Sequence, residues 1–282
     1  MSSTTVGDSK LMLHCGANVV TWDEVKAVKT PEASGSHCPI PHSYLVQEVR
    51  DGLTNMGFRL TGEVHAMWGD GLRYFGLIGL QEQTGGDIGY RNEVSQGRQF
   101  VFGIRNGNDR SIVAGGALGT RVFVCDNLAM HSAENAFKFA RKHTRYALRD
   151  LPGLIATNLG GLRLSMKKVA EREDAYDCFN FKEADEKANV KPGTILNDTL
   201  MRCLRARAFN VQELPHIIHE YERSDAPGGH FAAGEPWQKP TVWRLQQAVT
   251  EVEKTRPGLL NLSKRHNRLT GVLDAVAFSH LS

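Results

Sequence analysis

Five cations in the middle of this chain recur at the spacing of one helical face. They lie at relative positions i, i+3, i+4, i+7 and i+11, and no Asp or Glu separates them. The five residues are Lys138, Arg141, Lys142, Arg145 and Arg149. On a helix these positions fall within an arc of roughly 100°, and rows of lysine and arginine side chains bind the phosphates of nucleic acids. The spacing therefore predicts a basic helix face that binds a nucleic-acid strand.

Three further residues extend this predicted phosphate-binding surface. Arg105 ends one predicted strand, Arg121 lies in another, and His143 lies at the border between the basic and apolar faces of the predicted helix. His143 has a second interpretation, a packing or capping role within the helix. The alternative for the cations is a solubilising face, because positive charge near a helix C-terminus is stabilised by the helix dipole whatever the function.

The helix that would carry the cations is predicted from its ends. Ser132 is a suitable N-cap, and the pair Pro152-Gly153 is a typical stop signal. Apolar residues such as Phe137 and Leu148 fall on the side opposite the cations. These signals predict an amphipathic helix that ends before Pro152.

The segments before this helix have the period of β-strands. Gly69-Asp70-Gly71 is a strong hairpin signal between the runs Phe58–Trp68 and Arg73–Gln83, and a helical pattern over Pro41–Met56 precedes them. Further strands are predicted over Gln99–Arg105 and Thr120–Cys125. The pattern predicts an α+β fold: an antiparallel sheet of four to five strands with a flanking helix, followed by a mainly helical C-terminal half.

Breaker residues and composition divide the chain into three regions. Residues 1–40 are predicted to be irregular, and residues 41–151 to form the α+β core. Residues 152–282 are predicted to form a helical region packed on that core. A mobile loop is expected at 224–240, where Gly, Pro and Ala are frequent and Trp237 is an aromatic anchor.

Composition limits the function classes. The 282 residues have a formal net charge of only +3, so a nucleic-acid site has to rest on local clustering. No apolar run approaches the roughly 18 residues of a membrane helix, and no signal-peptide pattern begins the chain, which predicts a cytoplasmic protein without a membrane partner. Five widely spaced cysteines, an odd number, indicate reduced thiols.

No residue pattern indicates catalysis, a metal or a cofactor. His-Cys pairs occur at residues 14–15 and 37–38, but adjacent side chains diverge and make poor ligands for one zinc ion. Cys125 follows a predicted strand, yet it lacks the flanking glycines of a nucleophile elbow. The Gly115-Gly116-x-x-Gly119 run lies between strands, which favours a turn or bulge over a phosphate loop. We therefore predict no catalytic residue, no metal ligand and no cofactor.

Aromatic residues on the predicted strands have two interpretations. They are Tyr74, Phe75, Phe100, Phe102 and Phe123. Single-strand binding proteins stack bases on such side chains beside a cationic groove. A layer of the hydrophobic core requires the same alternation, and the core is the default for aromatic side chains on strands.

Three segments in a fixed order carry a resemblance to a known family. The run FVFGIRNGNDRSIVAGGALGTRVFVCDNLA, the following ARKHT and the late WRLQQAVTEVEK resemble the phage- and plasmid-borne "domain of unknown function" family numbered 932. The similarity spans the chain from about Arg59 to Lys254, and it departs from the family pattern at Gly107 and at Gln246-Gln247. The resemblance implies a phage or mobile-element origin and an intracellular setting in nucleic-acid metabolism. The order of elements is also similar to that of Rad52-like single-strand annealing proteins, which is a fold analogy.

These observations predict a phage-encoded protein that binds single-stranded DNA in recombination or replication, with a homo-oligomer as its expected state. One alternative is a non-enzymatic accessory protein that binds a host protein, such as an anti-defence inhibitor, through the loop at 224–240. A second alternative is an unrecognised metal-dependent hydrolase or nuclease, which would need clustered Asp, Glu or His side chains in a cleft.

Overall fold

The computed structural model of the chain describes residues 17–82, 98–122, 127–130, 138–223, 239–253 and 259–278. The strands are β1 (Asn18–Val20), β2 (Phe58–Trp68), β3 (Arg73–Glu82), β4 (Arg98–Gly107), β5 (Ala114–Val122), β6 (Asn127–Met130) and β7 (Lys138–Arg141). The helices are α1 (Trp22–Ala27), α2 (His42–Asn55), α3 (Ala147–Leu159), α4 (Leu162–Cys178), α5 (Phe181–Ala188), α6 (Thr194–Arg205), α7 (Leu214–Glu222), α8 (Val242–Glu253) and α9 (Leu259–Phe278).

The strands form one antiparallel sheet in the order β1-β2-β3-β4-β5-β6. The outer edge of β5 pairs with two strands, β6 near its C-terminal end and β7 near its N-terminal end. The sheet and the helices of the C-terminal half confirm the α+β fold class. The sheet is larger than the four to five strands expected, since the described residues contribute seven.

The β2–β3 hairpin forms where the glycine-rich signal predicted it. Trp68 pairs with Arg73, and the intervening loop contains three consecutive residues with positive φ: Gly69 at 60°, Asp70 at 54° and Gly71 at 76°. Glycine adopts this left-handed region without steric cost, and aspartate tolerates it better than most residues. The hairpin brings the first residue of β3, Arg73, beside the β4–β5 turn, where its Nε lies 2.6 Å from Asp109 Oδ2.

One face of the sheet packs against α2, α3 and α4 and forms the first hydrophobic core. Tyr74, Ile78, Phe102 and Leu118 are buried on this face because alternate residues of neighbouring strands share it. Gly116 also lies there, and a Cβ at this position would come within 2.5 Å of the Phe102 ring. The glycine is therefore required for the two aromatic rings of Phe102 and Phe139 to stack across the sheet, with centroids 6.4 Å apart.

The predicted basic helix is wrong. Residues 138–141 form strand β7, residues 142–146 make an irregular turn, and a helix begins only at Ala147. Ser132, its proposed N-cap, lies outside the described residues. The free edge of β5 explains the difference, because its small residues allow another backbone to approach: a Cβ on Gly115 would lie 2.7 Å from the Phe139 carbonyl oxygen. Pairing with β5 also buries Phe139 in the core, a tertiary gain that overrides local helical spacing.

Pro152 lies inside α3 and does not end it, contrary to the expected stop signal. Proline has no N–H, so the carbonyl of Leu148, four residues earlier, loses its usual helical partner. The Tyr44 hydroxyl of α2 donates a hydrogen bond to that carbonyl at 3.2 Å. A side chain from a neighbouring helix therefore satisfies the acceptor and lets α3 continue to Leu159.

The C-terminal helices enclose a second hydrophobic core, and α4 belongs to both cores. Met166 and Val169 of α4 pack in the first core, whereas Tyr176 packs in the second with residues of α5 to α9. Polar contacts fix this arrangement: the Thr120 hydroxyl of β5 donates to Glu173 Oε1 at 2.5 Å. The helical region is therefore packed on the sheet through α4, and also through α8 and α9, which contact β6. The expected loop at 224–240 lies mostly outside the described residues.

Candidate nucleic-acid interface

Four of the predicted site residues meet at one corner of the fold, where β7 turns into α3. We call Arg141, Lys142, Arg145, Tyr146 and Arg149 the basic corner. Lys142 and Arg145 lie on the turn and are exposed, and the Arg149 side chain on the first turn of α3 is 73% exposed. The corner keeps part of the predicted cation cluster but presents it on a strand end, a turn and a helix start.

The aromatic residue of the basic corner lies between two of its cations. Tyr146 is 51% exposed, and its ring centroid is 4.6 Å from the Arg149 guanidinium carbon and 6.0 Å from that of Arg145. Exposed cation–π pairs of this kind contribute about 0.5–1 kcal/mol each. They hold both guanidinium groups beside a ring that solvent still reaches, so the corner offers a stacking surface and two phosphate-binding groups together.

Positive charge dominates the basic corner. Asp150 accepts from Arg141 Nη2 at 2.6 Å and from Arg149 Nε at 3.1 Å, so one carboxylate is shared by two guanidinium groups. Across the described part of the chain, no acidic side chain forms an ion pair with Lys142 or Arg145. The four cations of the corner thus exceed the bound carboxylate by three charges. An incoming polyanion would find donors that are not already neutralised.

Two long-range hydrogen bonds hold the basic corner against α2 and the segment before it. The Cys38 amide donates to the His143 carbonyl at 3.0 Å, and the Tyr44 hydroxyl donates to the Leu148 carbonyl at 3.2 Å. The first anchors the turn to the segment before α2, and the second anchors the start of α3 to α2 itself. The exposed cations therefore extend from a backbone that is fixed at both ends of the turn.

His143 points into the protein rather than toward solvent. Its side chain is 7% exposed and stacks on His37, with ring centroids 5.2 Å apart and planes 10° from parallel. Burial and, to a smaller degree, the positive fields of His37 and His42 lower the pKa of His143 to about 4. A neutral, buried imidazole favours the packing interpretation over the phosphate contact considered for this residue.

The remaining predicted cations do not join the basic corner. Arg105 lies on β4 opposite Phe75, on the sheet face that is turned away from α2 and α3. It is half-buried, and this burial lowers the pKa of its guanidinium. Arg121 lies in β5 and Lys138 in β7, but their side chains lie outside the described part of the structure. The extension of the surface through Arg105 and Arg121 stays a prediction.

The sequence interpretation missed Tyr146, the aromatic residue of the basic corner. On an amphipathic helix Tyr146 has no special place, whereas on a turn it projects between Arg145 and Arg149. The signal was present in the segment Arg145-Tyr146 followed by Arg149, an aromatic residue enclosed by arginines. Of the strand aromatics considered as a stacking surface, Tyr74, Phe75 and Phe102 are buried and Phe100 packs against the first core. Phe123 lies outside the described residues.

His37 and His42 serve structural hydrogen bonds. His37 Nε2 lies 3.1 Å from the Asn108 carbonyl, and His42 lies between the Gly71 carbonyl and the Asn106 amide, 2.8 Å from each. Within the described ranges no three His, Cys, Asp or Glu side chains are grouped so that they could hold a metal ion. His14, Cys15, Cys125 and Trp237 lie outside those ranges.

Another chain of polar side chains fixes α2 to the sheet. Tyr74 OH lies 2.8 Å from His65 Nδ1, His65 Nε2 lies 3.3 Å from Glu63, and Glu63 accepts a bidentate pair from Arg50 of α2. Burial raises the pKa of Glu63, but the hydrogen bonds and charges of His65 and Arg50 outweigh it and lower the pKa overall. The Arg50 guanidinium also lies 3.8 Å from the Trp22 ring centroid. The buried Tyr74 hydroxyl is out of reach of a substrate, so this chain is structural.

Comparisons with family models, with curated proteins and with solved structures return no match for this chain. None of the described helices combines the length and apolar character that crossing a membrane requires.

Proposed function

We propose that this protein binds single-stranded DNA through the basic corner. The observation that carries the proposal is the half-exposed ring of Tyr146 between Arg145 and Arg149, in a cluster whose cations outnumber its carboxylate. Aromatic side chains beside cations are the usual elements of single-strand binding sites, because bases stack on the ring while the cations contact phosphates. The sequence resemblance to the phage and plasmid family implies a setting in nucleic-acid metabolism, and within it we propose a role in recombination or replication.

The geometry favours an unpaired strand over a duplex. A base can stack on Tyr146 only if its own face is free, and in a duplex both faces of each base are covered by neighbouring base pairs. The phosphate contacts would be shared by both kinds of nucleic acid, whereas the stacking contact belongs to single strands. We therefore expect tighter binding to a single strand than to a duplex of the same sequence.

The number of cations also bears on assembly. At most four phosphate contacts from Arg141, Lys142, Arg145 and Arg149 give a salt slope of about −3 for a single strand. Contacts of this number make a weak site, and weak sites gain strength when several copies engage one strand. We therefore propose that the protein acts on long strands as a homo-oligomer, in which several basic corners bind one strand.

The test compares the full chain with a variant that neutralises the basic corner. Fluorescence anisotropy of a labelled oligo-dT is measured across a salt series for wild type and for K142Q/R145Q/R149Q. Arg141 is kept so that Asp150 retains a partner. We expect the variant to bind more weakly and to lose about 2 units of the salt slope, because each lost phosphate contact removes about 0.7.

The matched control is K182Q/K187Q/K191Q, which removes the same charge from exposed lysines on and after α5 in the helical half. It should bind oligo-dT as wild type does. Absence of wild-type binding at low salt would reject the proposal. An equal loss in both triple variants would also reject the basic corner, since net charge alone would then account for the binding.

A further inference from the structure

A cavity of about 660 Å³ opens in the helical half of the chain. It lies between the segment that follows α6 and the middle of α9. Its lining includes four cations, Arg207, Lys264, Arg265 and Arg268, and one carboxylate, Glu213. The volume is in the range of small-molecule sites, and the lining is unusually basic for one.

The inner wall of this cavity is a fixed ion network. Arg265 donates to the Ala208 carbonyl at 2.9 Å and to Glu213 at 2.6 Å, and it lies 3.4 Å from Glu253. Glu253 in turn lies 2.5 Å from His266 Nε2. Glu213 is buried, its carboxylate accepts from the Asn210 amide, and its own amide donates to the Asn210 side chain, which fixes the turn before α7. The wall is therefore rigid, and its carboxylates are already paired within the protein.

The outer cations of the cavity have no such partners. Among the described residues, none of Arg207, Lys264 and Arg268 forms an ion pair, and Arg268 makes only a long contact of 3.4 Å to the Arg207 carbonyl. All three are exposed at the rim. Even with Glu253 counted, the four cations exceed the two carboxylates by two charges. Three exposed donors with a surplus of positive charge face one concave space.

The backbone at the rim is held in an uncommon conformation. Arg207 has a φ of 57°, a left-handed value that is rare for residues other than glycine, asparagine and aspartate. The Arg207 amide donates to the Leu204 carbonyl, and the Ala208 amide donates to the Cys203 carbonyl, which ends α6 in a tight turn. This turn places Arg207 at the cavity edge opposite Lys264 and Arg268 of α9.

We propose that this cavity binds a small molecule with two or more phosphate groups. A polyphosphate concentrates several negative charges within a few ångströms, which suits three cations around one space, and arginine binds phosphate oxygens in a fork geometry. Leu204 and Phe209 supply an apolar part of the lining beside the cations. An organic group attached to the phosphates, such as a nucleoside, would pack there. The proposal does not depend on the basic corner.

The test uses the full chain with two probes, inorganic pyrophosphate and ATP, in buffer that contains a chelator. Isothermal titration calorimetry gives the affinity, and thermal unfolding gives the ligand-dependent rise in Tm. The variant is R207N/K264Q/R268Q, in which asparagine is chosen because it tolerates the left-handed conformation at position 207. We expect wild type to bind at least one probe, and the variant to bind it about tenfold more weakly or worse.

Two control variants distinguish binding in the cavity from attraction by net charge and from binding at the basic corner. K182Q/K187Q/K191Q removes the same charge elsewhere, and K142Q/R145Q/R149Q removes the basic corner, and both should bind the probes as wild type does. The cavity variant should in turn bind oligo-dT normally. The proposal is overturned if neither probe binds wild type, or if the cavity variant and the two controls lose binding equally. Circular dichroism verifies that the cavity variant is folded.

Discussion

Substitution of Tyr146 distinguishes base stacking from simple charge attraction in the proposed DNA site. Its ring is half exposed, and within the described structure its side chain makes no capping hydrogen bond to α3. We expect Tyr146→Ala to weaken oligo-dT binding by about 1–3 kcal/mol, the cost of one lost base–aromatic stack. Tyr146→Phe should bind as wild type does, because the ring carries the contact. Anisotropy titrations at one salt concentration measure both variants.

The salt slope distinguishes this effect from a loss of phosphate contacts. Tyr146→Ala removes no charge, so the slope should stay at its wild-type value while the affinity falls. An unchanged unfolding midpoint would show that the exposed side chain contributes little to the fold. If Tyr146→Ala binds as tightly as wild type, the basic corner acts through charge only and its preference for single strands has no structural basis.

His143 links stability to pH. Its folded pKa is about 4 because it is buried beside His37 and His42, whereas an unfolded histidine titrates near its ordinary value of about 6.5. Between these values the unfolded chain binds more protons, so the free energy of unfolding falls as pH decreases. From about pH 7 to about pH 5 we expect a loss of about 2 kcal/mol from this residue. Urea unfolding at the two pH values measures it.

The variant His143→Phe isolates this contribution. Among the described residues, neither ring nitrogen of His143 has a hydrogen-bond partner, so a phenyl ring leaves no polar group of that neighbourhood newly unsatisfied. The difference in unfolding free energy between the two pH values should shrink by about 2 kcal/mol in this variant. The exposed His219 of α7 provides a control, and His219→Gln should keep the wild-type pH dependence. If the unfolding free energy of His143→Phe depends on pH as strongly as that of wild type, His143 is not the source of the pH dependence.

At the scale of elements, the continuation of α3 past Pro152 depends on α2. The Tyr44 hydroxyl donates a hydrogen bond to the Leu148 carbonyl. Pro152 cannot donate to that carbonyl because proline has no N–H. We expect Tyr44→Phe to lower the free energy of unfolding by about 1 kcal/mol, the net contribution of one hydrogen bond. Urea denaturation monitored by circular dichroism measures the change.

A double-mutant cycle tests the compensation between the two residues. Pro152→Ala supplies the missing N–H, so the Leu148 carbonyl gains a donor from its own helix. In that background Tyr44→Phe should cost clearly less than it does alone, and the coupling between the two substitutions should be of the order of 0.5–1 kcal/mol. Additive effects would show that the tyrosine contributes through packing or its hydrogen bond with Glu48, and not by replacing the helical hydrogen bond.

The elements that the sequence predicted correctly are those with local signals. The β2–β3 hairpin has its own turn residues, Gly69 to Gly71, and α2 has apolar residues at helical spacing that pack on the sheet. Strand β7 has no such signal: its four residues become a strand because the edge of β5 is available and Phe139 fits beside Phe102. Likewise nothing near Pro152 in the sequence indicates that Tyr44, more than a hundred residues away, would support the helix.

The same distinction applies to the candidate site: the sequence predicted the residue types, and long-range contacts set their positions. Lys142, Arg145 and Arg149 were predicted as cations that bind phosphate, and they do lie together on an exposed surface. Their common helical face was wrong, and with it the position assigned to His143, while Tyr146 was not predicted as part of the site. Which side chains a turn exposes depends on the contacts that fix its two ends, here the Cys38 amide and the Tyr44 hydroxyl. Those contacts are long-range and leave no periodic trace in the sequence.

At the scale of the whole molecule, α4 joins the half that bears the basic corner to the half that bears the cavity. Its first turns pack in the sheet core and its last turns in the helical core, so neither core is complete without it. In its second half Glu173 accepts from Thr120 of β5, while its neighbour Arg172 lies 2.8 Å from Asp274 of α9. Adjacent residues of one helix thus contact the sheet and α9.

This shared helix predicts that the two halves unfold together. Glu173→Ala removes a buried hydrogen bond to the sheet and should lower the free energy of unfolding by about 1–3 kcal/mol. Because α4 is common to both cores, hydrogen exchange should accelerate in β3 and β4 and also in α8 and α9, by similar factors. Lys168→Ala, an exposed change on the same helix, should leave both regions protected as in wild type. Faster exchange confined to the sheet would mean that the helical half is stable by itself, and that α4 connects two independent folding units.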